Sequence, residues 1–415
     1  MEPVEIIHGD LLLRPWRSGD ADAVHRACQD PAIQRWTSVP SPYLPEHATG
    51  FVTGIAPAAW AAGTGAPFAV CDAGTGELLG SCGLVSIDRA LDSAEVGYWT
   101  APWARGRGVA VRATRAVARW AFDQLGMRRI VWQAEVGNHA SRLVALRAGF
   151  RIDGRLRLAH PHPMGGPDGW IGSLLPADLP TPPDAPATPT EHPVDDGGPA
   201  SPTGRPATPA DDGAVVLDPL EVRRAAVFGR DQPVLFATTV DGEIRLRRPE
   251  DRDIDDLVVG CRDPESIRWT SVPDPYQRGD AEFYVRELAV DTWARGTGAI
   301  FAVADPEDRY AGTLDLRISP VDPTVADVGF LTTPAYRGRG YLPAALGALA
   351  AWAFTSLGLA RIEWRANVGN HASRRAAEKA GFVFEGTARH AVAHRGKRVD
   401  AWVAALLPDD LGRRG

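Results

Sequence analysis

Cysteine is scarce. Cys28, Cys71, Cys82 and Cys261 are the only four in 415 residues, and their spacing suits neither a disulfide framework nor a metal site. Reduced thiols in a cytoplasmic protein are therefore expected. Long apolar runs are missing too: none approaches the roughly 20 uncharged residues of a membrane span. The opening Met-Glu-Pro-Val-Glu-Ile-Ile-His lacks the basic start and apolar core of a signal peptide. No membrane partner is expected. Positive charge is in deficit, with a net charge of −7. That argues against general nucleic-acid binding, whose affinity comes from neutralising phosphates. His160, His162, His390 and His394 show no ligand spacing, so no metal is expected.

Repetition is what the chain has. Cys28-Gln-Asp-Pro-Ala-Ile-Gln-Arg-Trp-Thr-Ser-Val-Pro-Ser-Pro-Tyr43 returns as Cys261-Arg-Asp-Pro-Glu-Ser-Ile-Arg-Trp-Thr-Ser-Val-Pro-Asp-Pro-Tyr276. Val136-Gly-Asn-His-Ala-Ser-Arg142 returns unchanged at Val368 to Arg374, and Pro102 to Leu179 aligns without a gap with Pro334 to Leu411. A domain-sized period means a duplicated domain and excludes a solenoid. Between the copies, Pro180 to about Gly213 is dense in Pro, Thr, Ala, Asp and Gly. Such a segment cannot bury enough surface to offset its ordering entropy, so an extended linker is expected. The expected division is 1–179, a linker at 180–213, and 214–415. A hydrophobic content of 44% and 13 Trp supply material for two cores.

Each copy reads as a hairpin, then helical segments, then strands, then a long helix. The first hairpin is Glu5 to Arg14 around His8-Gly-Asp10, and its counterpart is Val234 to Arg247 around Asp241-Gly242. In the long helix Ala113, Val117, Trp120 and Ala121 recur at helical spacing and should face the sheet, with Arg112, Arg115 and Arg119 opposite. The expected fold is α/β (α+β), each copy a mixed, largely antiparallel sheet flanked by helices. In the second copy the arginines become Ala344, Gly347 and Ala351. An apolar helix of that kind should pack on another surface, such as the other domain.

Pro102-Trp-Ala-Arg-Gly-Arg-Gly-Val-Ala110 joins the strand-like Ala94 to Trp99 to the long helix, and recurs as Pro334-Ala-Tyr-Arg-Gly-Arg-Gly-Tyr-Leu342. A glycine turn opening a helix points backbone N–H groups and the positive dipole end at one anion. Glycine used only for a tight connection is the alternative. The dinucleotide pattern fails at Val111, and no Lys-Ser/Thr follows to make a P-loop.

With the preceding Glu95-Val-Gly-Tyr-Trp99, and with Asn138-His-Ala-Ser141 running to Ala148-Gly-Phe150, this turn resembles the GNAT superfamily of N-acetyltransferases. Trp36 to Tyr43 and Ser173-Leu-Leu175 resemble its RimJ/RimL-like branch. The resemblance covers nearly the whole chain twice and implies acetyl-CoA as co-substrate, with an amine as acceptor. It implies that Arg105, Gly106, Arg107, Gly108, Val109 and Ala110 hold the CoA pyrophosphate. Arg337, Gly338, Arg339, Gly340, Tyr341 and Leu342 would do so in the second copy. Tyr98, Trp99 and Thr100, with Leu331 and Thr332, would line the pantetheine arm beside Asn138 and Asn370. Helix capping is the other use of those asparagines.

Direct attack on a thioester needs a neutral amine, a polarised carbonyl and a proton for the thiolate. Glu95 and Asp327 stand where relatives place a base, and a solvated strand carboxylate is the alternative. The family's Tyr acid position is vacant, being Ala145 and Ala377 here. Ser141 and Ser373 resemble the serine near the thiolate in this branch, against a plain first-turn polar residue. Trp36, Tyr43, Trp269 and Tyr276 lie in the segment that borders the acceptor in relatives, where aromatic core packing is the alternative. The expected function is acetyl transfer from acetyl-CoA to a primary amine, on a protein or peptide N-terminus, a small amine or an antibiotic. A CoA-binding regulatory or structural module without turnover is the rival. The duplication allows an intramolecular domain pairing or a homodimer.

Overall fold

Leu11-Leu-Leu-Arg14 forms a strand because the Gly9 turn at φ +63° folds Ile6 to His8 back on it, burying Leu11 and Leu13. The computed structural model describes residues 1–158, 167–179 and 219–411. The expected linker at 180–213, and His160 and His162, lie outside the described residues. In the first copy the strands are β1 (Ile6–His8), β2 (Leu11–Arg14), β3 (Ala66–Asp72), β4 (Leu78–Asp88), β5 (Ser93–Thr100), β6 (Arg129–Glu135), β7 (Arg151–Leu156) and β8 (Gly169–Leu174). Its helices are α1 (Ala21–Cys28), α2 (Pro31–Trp36), α3 (Pro45–Gly50), α4 (Ala56–Ala62), α5 (Val109–Asp123) and α6 (His139–Ala148).

The second copy opens with α7 (Pro219–Phe228) and repeats the order. Its strands are β9 (Leu235–Thr239), β10 (Gly242–Arg247), β11 (Gly298–Ala304), β12 (Tyr310–Ile318), β13 (Val325–Thr332), β14 (Arg361–Asn367), β15 (Val383–His394) and β16 (Lys397–Leu406). Its helices are α8 (Ile254–Arg262), α9 (Pro264–Trp269), α10 (Arg278–Phe283), α11 (Ala289–Ala294), α12 (Tyr341–Ser356) and α13 (His371–Ala380).

The strands form one sheet in the order β1-β2-β3-β4-β5-β6-β8-β7-β15-β16-β14-β13-β12-β11-β10-β9, a sequence that mirrors itself about its middle. Pairing is antiparallel except for β5 with β6 and β13 with β14. A parallel pair needs a crossover, and α5 and α12 are those crossovers. Ala113, Val117 and Ala121 of α5 are buried, with Trp60 and Trp132 among the largest enclosed side chains; α12 buries Ala345, Leu349 and Ala353 in the same way.

The apolar α12 does meet a further surface, the added helix α7, and not the other domain offered as one instance. It packs on β9, α13 and α7 of its own half. The Arg224 Nε donates to the Leu357 carbonyl at the end of α12, and Gly358 lies against Leu220 of α7. The extra helix of the second copy thus meets the C-terminal end of α12. Ala351 remains exposed.

The two halves meet through β7 and β15, where Gly154 pairs with Gly386. Arg157 reaches across to Glu385, to Asp410 at 2.9 Å and to the Ala405 carbonyl at 2.6 Å. Arg389 reaches back to Asp178 at 2.8 Å, to the Ser173 carbonyl at 2.6 Å and towards Asp153. These contacts are the same set with the two copies exchanged. Domain pairing is thus intramolecular and nearly two-fold symmetric.

Candidate active site

The ladder between β5 and β6 runs only from Ser93–Arg129 to Glu95–Val131 and then stops. From Val96 to Thr100, the β6-facing edge of β5 has no such partner, so backbone groups there remain free for another chain-like molecule. The second copy splays the same way after Val328–Trp364.

At the end of each splayed strand lies the glycine turn. Gly106 and Gly108 have φ of +77° and +70°, Gly338 and Gly340 of +79° and +80°. A Cβ at any of the four would meet nothing within 4 Å. Conformation, not crowding, therefore requires glycine. Neither α5 nor α12 carries a side-chain cap, unlike α2, α6, α9 and α13. The first N–H groups after Gly108 and Gly340 are thus left for an anion. Val109 is buried beneath the turn, as is Tyr341, while Ala110 and Leu342 are half-buried.

The arginines of the turn are not loose. Arg105 holds Asp30, the cap of α2, at 2.7 Å, and Arg337 engages Asp263, the cap of α9. Both aspartates sit below the ordinary carboxylate range; for Asp30 the Arg105 hydrogen bond is the main cause. Arg107 faces Asp72, and Arg339 pairs with Asp241 at 2.8 Å beside the Tyr336 and Tyr341 rings. These side chains fix the turn to the body, and the backbone forms the concave surface.

Ser141 stands over the gap between the strands. Its hydroxyl accepts from the Trp132 indole N–H at 3.0 Å and shares a hydrogen bond of 3.1 Å with the Tyr98 hydroxyl. Trp132 belongs to β6 and Tyr98 to β5, so the serine bridges both. Ser373 accepts from the Trp364 indole at 3.1 Å, but Phe330 stands at the Tyr98 position. Asn138 and Asn370 each accept the N–H of that serine at 3.1 Å, which is the capping role. Trp132 and Trp364 were missed from sequence; an invariant nine-residue step to the serine, repeated in both copies, was the available signal.

Glu95 lies on the opposite face of β5 from Tyr98, because strand side chains alternate. Burial pushes its carboxyl up, and its hydrogen bond is a long 3.4 Å from the Gln133 amide. Asp327 instead takes the Arg317 guanidinium, whose Nε lies at 3.1 Å. Trp99 is half-buried near Trp16, Thr100 pairs with Gly80, Leu331 is buried and Thr332 pairs with Gly312.

Trp36 lies over Gly137 and Trp269 over Gly369, in the loops leading to the Asn caps. Tyr43 and Tyr276 turn inward, 5% exposed, against Cys28 and Cys261, whose thiols burial pushes up to about 11. Little of either ring is left for an acceptor, so core packing is the role the structure gives these two. Among the described residues no group of three or more His, Cys, Asp or Glu could hold a metal ion, and no helix is long and apolar enough to cross a membrane.

A family model described as an acetyltransferase (GNAT) domain matches residues 10–151 and again 243–383, more than half of the chain. YdaF of Bacillus subtilis (strain 168), named as a candidate ribosomal N-acetyltransferase, is 38% identical over 82 residues, 20% of this chain and 45% of its own length. The ribosomal-protein-serine acetyltransferase of Escherichia coli (strain K12) is 34% identical over 83 residues, 20% of this chain and 46% of its own. The chain thus spans about half the length of these curated relatives. The solved structure of Mycobacterium smegmatis RimJ in complex with CoA-disulfide is 26% identical, with a TM-score of 0.37, covering 43% of this chain and 88% of that one.

Proposed function

The chain belongs to the GNAT acetyltransferase family, and from that premise we propose that it transfers an acetyl group from acetyl-CoA to a primary amine by direct attack. The observation that carries the reading is the pairing, in both copies, of a splayed strand edge with an uncapped helix behind two left-handed glycines. A thioester on a long phosphorylated arm needs those two things: an open backbone edge along the arm and N–H groups at the phosphates. Acetyl-CoA supplies the activated acyl group.

The remaining roles fall to this chain. Backbone N–H groups at 106–110 and 338–342 hold the pyrophosphate. The free edge of β5 from Tyr98 to Thr100, and of β13 around Leu331 and Thr332, aligns the pantetheine and polarises the acetyl carbonyl. Asn138 and Asn370, as caps, aim Ser141 and Ser373 at the departing sulfur. Glu95, on the other face of the strand, takes the proton of the attacking amine, directly or through one water. Placing base and proton donor on opposite faces suits a carbonyl attacked from one side and left from the other. Trp36 and Trp269 flank the acceptor. The working units are 1–179 and 214–415, joined by 180–213. Protein N-termini head the acceptor classes, as the relatives' names suggest, with small amines and antibiotics behind.

The test is thiol release from acetyl-CoA by the full chain, with N-terminal peptides of ribosomal proteins, small amines and aminoglycosides as acceptors. Release above hydrolysis with any of them supports the reading. None with any would leave a CoA-binding module.

A further inference from the structure

The two copies differ around the carboxylate assigned as the base. Around Glu95 the neighbours are neutral. Val131 pairs with it across the strands, and Val85 lies over Gly97, where a Cβ would sit 2.6 Å from its methyl. Ser86 pairs with it from β4, Gln133 donates to it at 3.4 Å, Gly83 pairs with Gly97, and Phe51 holds the sequence position that Tyr284 takes in the second copy. Around Asp327 each of these positions is polar. Glu363 is the cross-strand partner, Arg317 lies over Gly329 at 2.7 Å from a Cβ there, and Asp315, Arg365 and Tyr284 replace Gly83, Gln133 and Phe51.

These groups satisfy one another. Arg317 donates to Asp315 at 2.8 Å and to Asp327; Tyr284 donates to Asp315 at 3.2 Å; Arg361 and Arg365 donate to Glu363 at 3.0 and 2.9 Å. An exposed ion pair alone would be a weak latch. This guanidinium is bracketed by two carboxylates, one of which, Asp315, has only 20% of its side chain exposed. A cation thus already fills the place an incoming ammonium would take. The hydroxyl pair differs in step: Ser141 has Tyr98 beside it, whereas Ser373 has Phe330.

We propose that the N-terminal domain carries the amine-transfer turnover, while Arg317 occupies the acceptor position of the C-terminal domain and holds Asp327 away from proton transfer. The proposal rests on the acetyl-transfer reading above. It makes Arg317 a determinant of which site works and leaves the C-terminal glycine turn free to bind acetyl-CoA.

Two measurements on the full chain test it. The first is amine-dependent thiol release by E95Q. With one working base the rate falls on the order of 100-fold. With two equal sites about half the rate survives, since an unaltered site keeps its own kcat, and that result overturns the proposal. The second needs no acceptor: labelling at pH 6 with a water-soluble carbodiimide and glycine ethyl ester, read by peptide mass spectrometry. Glu95 is expected to label and Asp327 to be protected, with protection lost in R317V or in the milder R317Q. Labelling of Asp327 as fast as Glu95 in the unaltered chain overturns it. A chain that releases no thiol with any amine overturns the acetyl-transfer reading instead, and the labelling still decides the role of Arg317.

Discussion

Gly154 and Gly386 lie face to face at the centre of the sheet, each leaving no room for a side chain on the other. A Cβ on Gly154 would collide with the Glu385 carbonyl oxygen, and one on Gly386 with the Asp153 carbonyl oxygen. The joint between the domains is therefore a backbone contact, flanked on both sides by the Arg157 and Arg389 clamps. G154V and G386V are each expected to lower stability by about 1–3 kcal/mol, the usual cost of overpacking. Urea denaturation of each variant measures this, and an unchanged midpoint would contradict the close approach.

The clamps predict an effect of similar size. Arg157 closes over Glu385 and Asp410, which have only 1% and 7% of their side chains exposed. Arg361 still pairs with Glu385, and Arg151 and Arg129 with Asp178 and Asp153, so losing one clamp removes charged hydrogen bonds without stranding every charge and costs about 1.5–3 kcal/mol. R157A and R389A should each show such a loss. The double variant should let the halves separate, seen as a larger radius of gyration by small-angle scattering. A double variant as compact as the parent would mean that the strands alone hold the joint.

What could be read beforehand was local. The duplication, the order of elements and the glycine turn depend on short stretches such as Arg105 to Ala110, and Asn138 announces a helix cap by residue type alone. The joint was not readable. It depends on Gly154 and Gly386, which bring no side-chain pattern, and on arginines whose partners lie more than two hundred positions away. An isolated glycine in a strand run does hint at a close backbone approach, and its recurrence in both copies was the unused signal. The unequal neighbours of Glu95 and Asp327 escaped for a similar reason. Val85 aligns with Arg317 in sequence, but an irregularity between Leu84 and Ser86 that β12 lacks sets Ser86 opposite Glu95 where Arg317 stands opposite Asp327, so the full contrast emerges only from the strand register.

The glycine turns should respond in binding more than in folding. At Gly108 and Gly340 a side chain meets open space, so the penalty is that of a left-handed backbone, roughly 1–2 kcal/mol. Shifting that backbone also turns the N–H groups away from the phosphates. Calorimetric titration of acetyl-CoA should give two sites per chain in the parent, and one in either G108V or G340V. A single site in the parent that survives G340V would place all binding in the first copy.

Glu95 makes stability and rate move in opposite directions with pH. Its folded carboxyl titrates above the usual value because burial disfavours the charge. Between the unfolded pKa and the raised folded one, the folded chain holds a proton that the unfolded chain has lost. Unfolding free energy therefore falls as pH rises through that window. Asp315 is pushed the same way by burial, so the comparison must be E95Q against the parent, in which Asp315 cancels. E95Q should be the more stable protein above the window and no different below about pH 3, where the glutamate is protonated in both states. The amine-transfer rate of the parent should instead climb across the same window, as the base becomes ionised, and E95Q should lose that climb. Urea titrations and rate profiles over one pH series check both. If E95Q were the less stable protein at neutral pH, Glu95 would be a charge the fold stabilises, and its place as the base would have to be given up.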